Sequence, residues 1–450
     1  MTIARFIALG WVLAATGLPA SALAQAGFAA APPPAAGDTT PAPLAALIDE
    51  ALQANPEVRA ARREIDAAEQ RVAPAGALND PMLEVGVLNL PVNTFSFRQD
   101  DMTMKMIGVG QRLPYPGKRQ LREEVAREDA EASRQRARET VNRTVRDVRV
   151  AYYGLALNAT TTRLVRRNRD TLEQLVRIAQ SQYAVGQGSQ ADVLKGELQR
   201  SGMAEELIRL ARAQKEVAGE LDAALGRPPG HRVVVPQPLA LASAPLPPPA
   251  ATDHDAIAAQ PQLLGLQSRI ARSQKVLALA EKDYYPDFDF KFAYGQRDRA
   301  QDGAYRSDMV IFTVAINLPV WRDTKLGPQV AEAEAMRGQA LDLFEAQRND
   351  ILMQLHHQAA VAEESLASAR LYESTILPQA RLAVEASLAA YRVNRLGFRD
   401  VLDSQMTVFN AEIAQATAVA AYNKALAEIE LLTGAQVDGA SAQSAGEGPQ

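Results

Sequence analysis

The chain has 450 residues, 47% of them apolar, enough to bury a large core. A formal net charge of −5 leaves no basic excess to suit nucleic acid. The complete lack of cysteine excludes disulfides and a lipid anchor on an N-terminal thiol.

At the N-terminus Arg5 precedes the apolar run "FIALGWVLAATGLPA", which closes on Ala22-Leu23-Ala24. A charged start, a short apolar stretch and an Ala-x-Ala site predict a signal peptide over 1–24, cleaved after Ala24. The run is too short for a membrane helix. Residues 25–42 are rich in Pro and Ala and read as a leader. A helix is then expected at about 43–73, strands at 82–90 and 102–113, a long helix at about 117–184 and a returning helix at 189–226. The same order recurs: helix at 254–282, strands at 287–295 and 308–318, long helix at 324–392, returning helix at 397–433. Residues 435–450 read as a disordered tail. No later stretch offers the ~20 apolar residues of a membrane helix, so any span of a membrane by the mature chain is made by strands.

The recurrence is a duplication, repeat 1 over 43–226 and repeat 2 over 254–434. Asn55-Pro56 matches Gln260-Pro261, Pro81 matches Pro286, and Leu113-Pro114 matches Leu318-Pro319; the prolines stand 205 positions apart each time (56 to 261, 81 to 286, 114 to 319). Further on, "YAVGQGSQADVL" from Tyr183 matches "YRVNRLGFRDVL" from Tyr391, now 208 apart, so three residues were gained in between. Within the helices, Val141, Val145, Val148, Tyr152 and Leu155 step by 4 and 3, as do Leu402, Met406, Phe409, Ile413, Ala416 and Ala420. Such steps make coiled-coil seams. The first long helix should run about 100 Å at its usual rise. Pro378 predicts a kink near Ile376 in the second.

In "DFDFKFAY" Phe288, Phe290, Phe292 and Tyr294 share one strand face, with Asp287, Asp289 and Lys291 on the other. Leu83, Val85 and Val87 repeat the pattern weakly, and Val310, Phe312 and Val314 repeat it again. A half-buried strand of a soluble core is the ordinary explanation. An exported chain with this alternation in strands of about ten residues suits an outer-membrane barrel, apolar face to lipid and polar face to the pore. Tyr115 and Trp321 follow the strands and are placed at the membrane interface. Four strands cannot close a barrel and an open edge in lipid is not tolerated, so several chains must share one barrel.

On these features the chain resembles the TolC-type outer-membrane efflux channels over about 43–434. The likeness is carried by the duplicated helix, two strands and long hairpin, and by "YAVGQGSQADVL" and "YRVNRLGFRDVLDSQ". The stretch "DPMLEVGVLNLPVNTFSFRQDDMTMKMIGVGQRLPYPGKRQLREEVA" further resembles the heavy-metal branch, which exports cobalt, zinc and cadmium or copper and silver. The resemblance implies a mainly α fold with a small β part: a homotrimer whose four strands per chain form one 12-stranded barrel in outer-membrane lipid. Its helices continue as a hollow α-barrel across the periplasm. The implied partners are a periplasmic adaptor and an inner-membrane pump of the resistance-nodulation-division type. The implied work is passive conduction of heavy-metal cations, with no enzyme activity, cofactor or nucleic-acid partner. The same duct serving drugs or secreted proteins is an alternative, as is a soluble periplasmic coiled-coil scaffold or adaptor.

Three groups of residues are functional candidates. Val185-Gly186-Gln187 and Val393-Asn394-Arg395 occupy matching hairpin turns, where Gly and Asn suit a left-handed backbone; the resemblance adds adaptor docking. Asp400 and Asp403 lie on one helix face. In a trimer they would stack as two acidic rings that attract cations, and in the resembling channels this Asp-x-x-Asp is the constricting gate. Asp192 matches a third gate residue, while the family's latching Arg is replaced by Leu396, leaving Arg395 or Arg399 to stand in for it. Met102, Met104 and Met106 alternate along the second strand, on the face opposite the lipid-facing residues. Thioethers suit Cu(I) or Ag(I); the preferred reading is that they fill apolar space. His356 and His357 are adjacent and cannot pair on one helix face, so no zinc site is expected. The Arg-rich span 134–149 reads as the wet side of a coiled coil.

Overall fold

The computed structural model describes residues 43–230, 239–242 and 257–434. The signal peptide, the leader, the tail and the start of the helix expected from 254 lie outside the described residues. The fold is mainly helical with one four-stranded sheet. Repeat 1 contains α1 (Leu44–Ala54), α2 (Pro56–Gly76), β1 (Met82–Leu88), β2 (Met104–Leu113), α3 (Lys118–Ala184) and α4 (Gln190–Leu225). Repeat 2 contains α5 (Pro261–Lys282), β3 (Phe288–Gln296), β4 (Met309–Ile316), α6 (Gly327–Leu371), α7 (Leu377–Arg392) and α8 (Phe398–Thr433).

The single helix expected at 43–73 is two helices. Asn55 turns extended, and its side chain accepts from the N–H groups of Glu57 (2.7 Å) and Val58 (3.4 Å) to start α2 with Pro56 in its first turn. Gln260 and Pro261 start α5 in the same way, Gln260 accepting from Leu263 N–H at 3.0 Å. The glycines that end α4 and α8, Gly226 and Gly434, have φ of 72° and 65°. A Cβ on Gly226 would lie 2.8 Å from Asn55 Cα, and one on Gly434 would lie 2.7 Å from Gln260 Cα. Each repeat therefore closes by seating a glycine on its own X-Pro helix start, and the duplication is visible in the packing.

The second long helix opens on one single π turn, at Arg322–Leu326, and is interrupted by a second, at Tyr372–Ile376. The second ends just before Pro378, whose ring cannot follow a regular α turn. A π turn takes an extra residue. The two lie in the interval over which the repeat offset grows from 205 to 208.

α3 packs between α4 and α8, and α8 packs on α6 and α7, so the hairpins stand as an open row with α4 at one edge and α6–α7 at the other. Val145, Val148 and Leu155 of α3 join Leu221 and Leu225 of α4 and Leu47 and Ile48 of α1 in one core. Near the hairpin ends Leu172 and Leu175 of α3 meet Tyr391, Phe398, Leu402 and Phe409 in another. The Arg-rich span is less wet than expected. Arg146 pairs with Glu428 at 2.8 Å and Arg149 with Glu430, both across the α3–α8 junction. Among the described residues no helix is long and apolar enough to cross a membrane.

Candidate barrel wall and tip gate

The strands run in the order β1-β2-β3-β4, all antiparallel. The pairing sets the faces. Val85 is opposite Ile107, Ile107 opposite Tyr294, and Tyr294 opposite Val310. The neighbouring row is Leu83, Val109, Phe292 and Phe312. Phe288, Phe290 and Val314 fall on this same face, so all the residues expected to meet lipid share it. It is open: Val85 is 76% exposed and Phe312 66%. A soluble fold would not leave such a face uncovered. The opposite face carries Glu84, Arg112, Asp289 and Lys291 around a cleft of about 330 Å³, and Lys291 pairs with Glu84. Among the described residues the outer edges of β1 and β4 have no strand partner.

The expected strand start at Met102 is corrected. Met102 lies in a turn where its N–H donates to Asp100 Oδ1 at 2.7 Å, and the ladder begins only at Leu88 opposite Met104. Met102 therefore does not share a strand face with the other two. Met104 is buried, its sulfur 2.5 Å from where a Cβ on Gly295 would stand. Met106 is opposite Gly295, which is opposite Met309. The Met104 thioether fills the gap left by Gly295, as gap-filling methionines do. Among the described residues no cluster of His, Cys, Asp or Glu is arranged to hold a metal ion.

At the helical end of the sheet, Lys118 is only 2% exposed. Its ammonium lies 2.9 Å from Asp287 and 3.0 Å from Asp283, and donates to the Tyr285 carbonyl at 3.2 Å. Asp287 also accepts from Tyr115 N–H at 2.9 Å. Burial works against the charge on Asp287, but the Tyr115 amide and the Lys118 ammonium outweigh it and hold the carboxyl below its usual range. Tyr115 stacks on Tyr285 at 4.6 Å, with Lys282 over both rings. Trp321, in contrast, projects freely beside the first π turn, 67% exposed. Sequence reading missed this clamp, because its members come from different repeats.

At the far end of the sheet the two hairpin loops are fastened together. Arg306 is nearly buried and donates to the carbonyls of Arg98 and Asp100, both at 3.2 Å, and pairs with Asp101. Arg297 donates to the Asp101 carbonyl at 3.1 Å. No motif announces these contacts.

At the helical tips, Gly186 and Asn394 take φ of 72° and 60°, and Val185 and Val393 are exposed beside them. Gln187 N–H donates to the Gln182 carbonyl and Arg395 N–H to the Ala390 carbonyl, both at 2.9 Å, so the two turns match. Asp192 and Asp400 stand 208 positions apart and do the same work. The carboxylate of Asp192 accepts from Ser189 N–H at 3.4 Å, and that of Asp400 from Gly397 N–H at 3.2 Å. Each thereby caps its helix. Asp403 is exposed and lies 3.6 Å from Arg399 on the same helix. Tyr391 packs against Phe398 with the rings tilted by 52° and their centroids 5.5 Å apart, its hydroxyl buried and without a partner among the described residues. Burial, and then the nearby Asp192 charge, push that hydroxyl's pKa up. The sequence signal for it was the repeat of Tyr183 at Tyr391. Above the tips Asn168 crosses the α3–α8 junction, accepting from Gln405 at 2.9 Å and donating to the sulfurs of Met203 and Met406 at 3.4 and 3.8 Å.

A family model described as outer membrane efflux protein matches residues 47–227. The cobalt-zinc-cadmium resistance protein CzcC of Cupriavidus metallidurans is 24% identical over 388 residues, which are 85% of this chain and 87% of that protein. Among solved structures, the outer membrane protein VceC of Vibrio cholerae superposes with a TM-score of 0.72 at 16% identity, covering 87% of this chain and 96% of that one. CusC, solved in a study of its folding and transmembrane channel formation, gives a TM-score of 0.72 at 14% identity, covering 87% and 91%.

Proposed function

Because residues 47–227 carry the outer membrane efflux protein domain and the whole fold is that of solved outer-membrane channels, we propose that this chain is the outer-membrane duct of a heavy-metal efflux system. The observation that carries the reading is the sheet: one largely apolar, exposed face, one charged face and, among the described residues, two open edges. In hydrocarbon those edges must be closed by other copies. Three copies contribute twelve strands, within the range of known barrels, and the helical hairpins extend the duct through the periplasm. A periplasmic adaptor docks at the Val185–Gln187 and Val393–Arg395 turns and couples the duct to an inner-membrane pump. The duct performs no chemistry; it conducts.

Asp403, exposed and spanned only by the weak Arg399 pair, supplies the cation-attracting ring at the tip. Asp400 shapes the entrance by holding the turn through Gly397. Leu396 leaves the entrance without the family's latching Arg. Similarity to a cobalt-zinc-cadmium resistance protein supports metal cations as cargo.

Two measurements test the proposal. The purified trimer in planar bilayers should conduct, and Asp403→Ala should weaken block by divalent cations while leaving assembly intact. Unchanged block in Asp403→Ala and Asp400→Ala removes the gate assignment. A strain lacking the chain should lose tolerance to cobalt, zinc and cadmium and keep its tolerance to dyes and antibiotics. The reverse pattern makes the cargo drug-like.

A further inference from the structure

Where α3, α4 and α8 meet above the tips, two thioethers and three carboxamides converge. Asn168 of α3, only 3% exposed, donates from Nδ2 to the sulfur of Met203 in α4 at 3.4 Å and to that of Met406 in α8 at 3.8 Å. The two sulfurs are therefore no further apart than those contacts laid end to end. Gln199 Nε2 lies 3.1 Å from the Met406 sulfur, and Gln405 Nε2 donates to Asn168 Oδ1 at 2.9 Å. We propose that this junction binds one soft monovalent cation, Ag(I) or Cu(I), held by the Met203 and Met406 sulfurs and the carboxamide oxygens of Asn168 and Gln199.

The donor set fits that class. Thioethers are soft ligands, and the unbranched methionine side chain has three rotatable bonds with which to close on an ion. A thioether is only a weak hydrogen-bond acceptor. A buried amide aimed at two of them therefore forfeits most of a hydrogen bond, a costly arrangement if packing is its whole purpose. The network is also satisfied in two ways. Without an ion, the N–H groups of Asn168 and Gln199 point at the sulfurs. Half a turn of each carboxamide exchanges its nitrogen and oxygen, and the oxygens then face the sulfurs across a cation. When Gln405 turns as well, its oxygen accepts from Asn168, and the bond between them survives in the opposite sense. Asn168 keeps partners at both ends in either state.

Met203 belongs to the apolar core with Leu172 and Phe409, and Met406 packs against it. Met406, Gln199 and Gln405 are only half-buried, which leaves the site a way in. The duplication does not supply the sulfurs: the counterparts 208 positions away are Ala411 for Met203 and Leu198 for Met406. The ligands include no carboxylate, imidazole or thiolate, the groups that Co(II) and Zn(II) favour. Met406 follows Asp403 by three residues and shares its helix face, about 4.5 Å further along the axis. A cation drawn in by Asp403 meets sulfur one turn later. That use as a stopping place for cargo rests on the duct reading; the binding itself does not.

Silver nitrate in chloride-free buffer is the probe, because Ag(I) needs no reductant. Calorimetric titration of the purified full chain in detergent should show one tightest equivalent per chain, with sulfur ligands in the silver X-ray absorption spectrum. Met203→Leu and Met406→Leu conserve side-chain volume and should each abolish that equivalent at an unchanged thermal midpoint. Met104→Leu and Met353→Leu alter a buried thioether of the sheet and an exposed one on α6, and should leave it intact. Gln405→Leu removes the partner that orients Asn168 and should weaken binding about 10–100-fold. Persistence of the equivalent in both the Met203→Leu and Met406→Leu proteins overturns the site, as does equal loss in the two control variants. Should either leucine variant lower the midpoint, the Gln405→Leu titration decides, and unchanged affinity there overturns the proposal. Displacement of Ag(I) by equimolar Co(II) or Zn(II) overturns the soft-cation assignment. Silver tolerance of cells carrying Met406→Leu tests the cargo role: a fall supports it, and full tolerance with binding lost overturns it. A protein that binds silver but does not conduct in bilayers refutes the duct and leaves the site standing.

Discussion

Lys118 ties the sheet to the helices at their junction. It is held by two carboxylates and a carbonyl with almost no contact with water. Removing one partner of a buried pair costs more than the pair contributes, because the remaining charge stays behind. Asp287→Asn should therefore lower the thermal midpoint of the assembled protein at neutral pH. The pH dependence has a definite sign. The folded-state pKa of Asp287 is depressed, so its stabilisation is complete above the ordinary carboxylate value of about 4. It is lost as pH falls through the lower folded value. Melting curves of the two proteins should converge on acidification; a gap independent of pH would mean that the carboxylate acts by shape alone. Little of this was legible in the sequence. Asp287 stood out only as the polar start of an alternating strand, and Lys118 is one of several basic residues that follow the second strand. Their meeting depends on a β2·β3 pairing between strands that end at Leu113 and begin at Phe288, which local patterns do not encode. The alternation itself was legible, and so were the tip glycine and asparagine, because side-chain period and left-handed backbone are local properties.

Among the elements, each closing glycine is fixed twice, by its backbone and by its neighbour. Gly226→Ala must hold a side chain at φ 72° and place its Cβ within 2.8 Å of Asn55 Cα. The left-handed conformation alone costs about 1–2 kcal/mol, and the backbone clash adds to it. Gly219→Ala lies within α4 with open space around it and should stabilise by about 0.5–1 kcal/mol. Denaturation midpoints of the two variants should move in opposite directions; a shared direction would refute the packing argument. Helix existence, order and heptad seams were all readable. The break at Asn55 was in plain view as an X-Pro pair with a capping side chain. The π turns were half visible: Pro378 signalled a kink, but neither its π form nor the turn after Trp321 follows from composition. Met102 was misplaced because alternation continued one step beyond the ladder, where Asp100 captures the backbone.

For the whole molecule, the apolar face of the sheet decides between a duct in lipid and a scaffold in water. Phe292→Arg places a charge on the middle row of that face and should cost about 2–4 kcal/mol if the row lies at mid-bilayer. The expected readout is loss of the heat-modifiable oligomer from outer-membrane fractions. Thr313→Arg, on the opposite face, should be tolerated. Equal behaviour of the two would remove the membrane assignment. Closure of the barrel was inferable from sequence only as a need, since four strands leave two edges.

The paired hairpin loops at the end of the sheet bear on how the cell presents itself. Arg297 and Arg306 pin the second loop to the backbone of the first, while the bend from Ala300 to Ala304 hangs beyond the pins, closed on itself by two main-chain bonds. In the proposed orientation that bend is the part of the molecule an antibody or a phage would meet first. Variation there is uncoupled from the wall beneath it, so the surface shown to the outside world is free to change while the duct stays the same.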